Sequence, residues 1–110
     1  MNVEDFRNEA LRIPGAIESE HGGHPDFRTG GKVFASVGMP DENWGMVKLT
    51  ADEQHARVQS APKVFSPCNG AWGKRGYTNV YLASATKGVV VPALESAAKN
   101  VATPVKTRKA

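Results

Sequence analysis

Val3, Phe6, Ala10 and Ile13 recur at helical intervals ahead of Pro14-Gly15. The chain therefore opens on an amphipathic helix over 2–13, with Asn2 placed to cap it and Asp5 three residues further on. Ala16 to Glu20 alternates weakly, and His21-Gly22-Gly23-His24-Pro25 is a cluster of turn residues that interrupts regular structure. A strand follows at 26–29. Gly30-Gly31 reads as a tight hairpin turn into Lys32–Val37, where β-branched and aromatic residues favour a second strand. The turn-rich segment 38–43 leads to a third strand, Trp44 to Leu49. Thr50-Ala51-Asp52-Glu53 fits a capping box, so a helix runs from about 51 to 60 and stops before Pro62. Lys63-Val64-Phe65 predicts a short strand, and Tyr77 to Leu82 alternates as the partner across a long glycine-rich loop. The last helix begins near Gly88, with Pro92 in its first turn and Ala93, Leu94, Ala97, Ala98 and Val101 on its apolar side. This order, with hairpin-type links, predicts an α+β fold: a single compact domain with an antiparallel sheet and helices at the N-terminus, middle and C-terminus.

The chain has 110 residues, the size of one domain, and its domain is expected to span 1–102. Residues 103–110 lack apolar periodicity and read as a disordered basic tail. The longest apolar run, Val89-Val90-Val91, is far short of a membrane span, and Cys68 is the only cysteine. A cytoplasmic monomer without membrane contact is the expectation. The net charge of +3 conceals a segregation. Residues 1–26 hold six acids against Arg7 and Arg12, whereas residues 54–94 hold five bases and no acid. If folding preserves that division, one face is positive and suited to a polyanion; otherwise the charges are ordinary solvated surface.

Chemistry concentrates in Pro67-Cys68-Asn69-Gly70-Ala71-Trp72-Gly73-Lys74-Arg75-Gly76-Tyr77, where glycines, two rings and adjacent cations share one short segment. Glycine allows close backbone approach, arginine offers a planar fork for phosphate, and the rings offer stacking faces. Gly73-Lys74-Arg75-Gly76 satisfies the G-x-x-G clamp of KH domains, but a strand follows it where that clamp needs a helix. It is not a Walker loop either, since Arg follows the Lys. What remains is a basic wing tip, with Trp72 either a stacking platform or a core anchor closing the loop. Arg28 and Lys32 flank Gly30-Gly31 and form a second basic tip. His21 and His24, even with His55 or Cys68, fall short of the paired spacings of a zinc site, so no metal and no cofactor is expected. Lys74 and Arg75 could lower the Cys68 pKa, but a lone cysteine more often packs than reacts, and no residue is assigned a catalytic role.

His24-Pro25-Asp26-Phe27-Arg28-Thr29-Gly30-Gly31-Lys32-Val33-Phe34-Ala35, the capping-box helix, and Ala71-Trp72-Gly73-Lys74-Arg75-Gly76-Tyr77-Thr78 together resemble the MmcQ/YjbR family, from the first helix to about Val101. The chain carries Tyr77 where that family commonly has Trp, which keeps a stacking ring. The resemblance implies a CyaY-like (frataxin-type) fold with a double-wing arrangement and a DNA-binding label. The expected function is a nucleic-acid-binding module, with DNA as partner, that contacts phosphates through His24, Arg28, Lys32, Trp72, Lys74, Arg75 and Tyr77. The alternative is a small anionic ligand held in a cleft between the wings by His24, Arg28, Lys32, Trp72 and Arg75. A third reading has the acidic first helix meeting a basic protein partner. A concave pocket with converging polar groups favours the small ligand, and a convex basic surface favours nucleic acid.

Overall fold

Two capping boxes set the first two helices. In the computed structural model, which describes residues 1–102, Asn2 caps α1 (Val3–Leu11) and Thr50 caps α2 (Ala51–Ser60). In each, the cap side chain accepts from the N–H three residues on, and Asp5 or Glu53 accepts from the cap's own N–H. The strands are β1 (Ile17–His21), β2 (His24–Thr29), β3 (Lys32–Val37), β4 (Trp44–Lys48), β5 (Phe65–Pro67) and β6 (Tyr77–Tyr81). A short helix α3 (Gly70–Lys74) joins β5 to β6, and α4 (Lys87–Ala102) closes the chain. The six strands form one antiparallel sheet in the order β1-β2-β3-β4-β6-β5. Among the described residues no helix is long and apolar enough to cross a membrane.

The predicted elements occur in the predicted order, with four local corrections. The turn cluster at 21–25 shrinks to Gly22-Gly23, both at positive φ, so that His21 and His24 become facing residues of a hairpin. The strand at 63–65 moves to Phe65–Pro67, because Val64 and Phe65 donate their N–H groups back to the Ala61 carbonyl and hold the chain in a turn. The wing tip expected as an open loop folds in part into α3. Pro92 is the sixth residue of α4 and not part of its first turn. The tail expected at 103–110 lies outside the described residues.

A single irregularity decides which residues face inward. Phe27 pairs with Ala35 but Arg28 pairs with Val33, so β3 carries one extra residue, Phe34, opposite β2. The bulge lets Phe34 and Ala35 both enter the core, each fully buried. On that inner face, Phe6 of α1 packs against Gly45 so closely that a Cβ there would lie 2.9 Å from the ring. Thr29 donates its hydroxyl to the Ala98 carbonyl of α4, and Gln54 of α2 reaches Thr78 on β6. The three longer helices therefore cover one side of the sheet. All four phenylalanines are buried in this core, and full burial of each stabilises the fold by about 1.5–3 kcal/mol.

Candidate functional site

Among the described residues none of the three longer helices lies against the opposite side of the sheet, and strand parity fixes what it displays. On β4 and β6 the outward pairs are Trp44 with Tyr81, Met46 with Asn79, and Lys48 with Tyr77. Gly45 with Val80 and Val47 with Thr78 point inward, and all of these but Gly45 are fully buried side chains. The aromatic residues are thus sorted by chemistry: the four phenylalanines lie inside, while both tryptophans and both tyrosines lie on or beside the open face. The middle of that face is polar apart from Met46, running Ser19, Asp26, Ser36, Met46, Asn79 and Ser66 across all six strands.

Two ring pairs mark its ends. Trp44 and Tyr81 stand with centroids 4.9 Å apart, tilted by 42°. Trp72 meets Tyr77 edge-on at 4.8 Å. Cations flank this second pair, with Lys48 Nζ 5.5 Å from the Tyr77 centroid and the Arg75 guanidinium 5.9 Å from that of Trp72. Trp72 is 57% exposed and Tyr81 37%, so Trp72 does not anchor the core. Lys48 stands four positions along β4 from Trp44, which puts the two ring pairs about 13 Å apart along the strands.

The Trp72 segment is held by its backbone. Gly76 has φ +100, and a Cβ there would lie 1.9 Å from the Leu49 carbonyl oxygen. A Cβ on Gly73 would lie equally close, 1.9 Å, to the Cys68 carbonyl oxygen. Gln54, to which no sequence motif pointed, places its amide nitrogen 3.0 Å from the carbonyl oxygens of Gly73 and Tyr77 and 3.1 Å from the Thr78 hydroxyl. The only signal for it in the sequence was its place one turn into the capped helix. Cys68 donates its thiol to Asn79 Oδ1 at 3.2 Å, and burial pushes its pKa up. The lowering considered from Lys74 and Arg75 is absent, and the thiol is a packed donor.

The predicted site residues do not all converge. The turn at Gly30-Gly31 and the loop carrying α3 emerge at the same end of the sheet, because β3 starts there and β4 ends there beside the start of β6. This brings Lys32, Trp72, Lys74, Arg75 and Tyr77 to one end. His24 starts β2 at the other end, near Gly38. Arg28 lies on the open face, but its Nε and Nη2 donate to the buried Asp26 carboxylate at 2.9 and 3.1 Å. That hydrogen bond and the adjacent charge raise the Arg28 pKa, and the pair is neutral as a unit. Lys32, Lys48, Lys74 and Arg75 have no carboxylate within ion-pair distance among the described residues.

The charge division survives folding only in part, since Lys87 of α4 lies 3.6 Å from Glu9 of α1. The acidic segment forms α1 and the β1 edge, where Glu4 and Glu18 hold Arg7 between them, while Lys74 and Arg75 lie beside the β5–β6 edge. Two shallow depressions, of about 690 and 460 Å³, lie between α1 and α4 and beside the N-terminus. Neither is lined by any of the predicted site residues. Among the described residues no three His, Cys, Asp or Glu side chains are grouped to hold a metal ion.

No protein-family model matches the sequence, and no curated protein does. Among solved structures, the crystal structure of Deinococcus radiodurans protein DR2400, a DUF419 domain, is similar over 93% of this chain and 79% of that one. The TM-score is 0.75 at 15% sequence identity. At that identity the likeness establishes a shared fold: this chain is a single compact α+β domain with the same architecture as a DUF419 domain.

Proposed function

We propose that this protein is an MmcQ/YjbR-like module that binds nucleic acid, with DNA as the partner, through its phosphates at the end of the sheet where the two glycine turns emerge. The observation that carries this reading is the placing of Lys48 against the Tyr77 ring and Arg75 against the exposed Trp72, with Lys74 adjacent in the chain, all three cations free of carboxylate partners among the described residues. Cations without internal partners attract a polyanion by releasing its condensed counterions. Arg28, spent on Asp26, contributes position and little field. A small anion in a cleft between the wings has less support, since neither depression involves those residues. We take the module to act as a monomer in the cytoplasm.

The test is fluorescence anisotropy of a labelled random duplex at low and moderate salt. Binding should weaken steeply with salt. In the double variant Lys74→Glu, Arg75→Glu, the slope of log K against log salt should flatten by roughly 0.9 for each phosphate that is no longer neutralised. A slope identical to that of the parent would remove these two residues from the interface and the proposal with them.

A further inference from the structure

The phosphate-binding reading leaves unexplained why both tryptophans and both tyrosines stand on or beside the face that, among the described residues, the three longer helices leave open. Phenylalanine serves every buried aromatic position, so the open face holds only rings that carry a polar atom and tolerate water. We infer that this face binds an unpaired nucleic-acid strand, with bases stacking on Trp72 and Tyr77 at one end and on Trp44 and Tyr81 at the other. The inference rests on the nucleic-acid reading and adds the state of the partner: single-stranded rather than duplex.

Three observations carry it. The Lys48–Tyr77 and Trp44–Tyr81 pairs are cross-strand neighbours on the same side of β4 and β6, so one ligand can meet both. The rise along those strands sets them about 13 Å apart, a distance that a few nucleotides of extended strand cover. Between them lie Met46, an apolar side chain, and Asn79, whose amide is held in place by Cys68 and Pro67. The charge is complementary as well. Lys48 and Arg75 already sit against Tyr77 and Trp72, so cation and stacking face are presented together, which is the combination that single-strand grooves use. The acidic β1 edge lies at the far side of the sheet, and the one acid in the polar row of the face, Asp26, is neutralised by Arg28. A duplex hides its base faces and can use only the cations.

The experiment compares a labelled twelve-residue oligo-dT with a duplex of the same length, by anisotropy and by intrinsic fluorescence. The chain has two tryptophans, and Trp44→Phe leaves Trp72 as the sole indole reporter. The expected result is tighter binding of the single strand at equal salt, with quenched indole emission. Trp72→Ala and Tyr81→Ala should each lower single-strand affinity about fivefold or more, the lower end of base–aromatic stacking, and leave the salt slope unchanged. Both side chains are substantially exposed, so the fold should persist, and the quenching of the unmodified chain provides a readout that needs no variant. Duplex binding as tight as single-strand binding, or binding without any change in indole emission, overturns the inference and leaves the phosphate reading standing. Binding of neither probe overturns both.

Discussion

Gly70, Gly73 and Gly76 look equivalent in the sequence and are held to glycine for different reasons. Gly70 has φ +65 with open space around it, so alanine there meets only the cost of a left-handed backbone, about 1–2 kcal/mol. Gly76 adds to its φ of +100 a Cβ position 1.9 Å from a carbonyl oxygen that belongs to the chain leaving β4. Gly76→Ala should therefore cost more than Gly70→Ala, by about 2 kcal/mol or more, as measured by urea denaturation. Equal losses would show that the β4 exit moves freely away from the loop. The glycine spacing marked a constrained segment, and the sequence made that legible. Which glycine is crowded depends on the Cys68 carbonyl, folded back within the same connection, and on the Leu49 carbonyl, which arrives from the end of β4.

At the scale of elements, what the sequence made legible was local. Both capping boxes were readable because their partners stand three residues apart and need nothing from the rest of the chain. The second box, however, is tied to a distant helix. Asn100 of α4 donates to Glu53 Oε1 at 2.8 Å and to the Lys48 carbonyl at 3.3 Å. Burial alone would raise the Glu53 pKa, but hydrogen bonds from Thr50 and Asn100 outweigh it, and the net shift is downward. A carboxyl with a lowered folded pKa stabilises the fold above its unfolded value, near 4.5, and that contribution fades as pH falls through the folded value. Glu53→Gln should accordingly be less stable than the parent at pH 7, with the difference shrinking below about pH 4.5. Thermal melts across pH 7 to 3 measure it, and a difference that stays constant would deny the carboxylate that role. The shift of β5 and the folding of α3 were not legible, because the Ala61 carbonyl and the Gln54 amide that fix them act across turns.

For the molecule as a whole, charge segregation could be read from the sequence but its geometry could not. The order β1-β2-β3-β4-β6-β5 sets the acidic strand β1 and the basic Lys74-Arg75 segment toward opposite edges, while α1 packs over β3 and β4 and its Glu9 meets Lys87. The same order gathers Lys32, Lys74 and Arg75 at one end and sends His24 to the other. Residues 103–110 add Lys106, Arg108 and Lys109 to the basic total. If the folded face is the main interface, a chain ending at Ala102 should keep salt-dependent binding to labelled duplex in the anisotropy titration. Its slope should be smaller by no more than about 0.9 for each of those three bases. Complete loss of binding on truncation would move the interface to the tail.

The extra residue at Phe34 amounts to a change of phase in the chain's alternating code. Downstream of it, odd-numbered positions of β3 face the helices; upstream, Val33 shares the open side with Arg28. Deleting Phe34 would bring the two halves back into step with Val33 still outside and Ala35 still inside, and would take one of the four phenylalanine rings out of the core. The wing beyond it would keep its side, so the extra residue serves the interior: it seats two consecutive side chains in the core where alternation alone seats one.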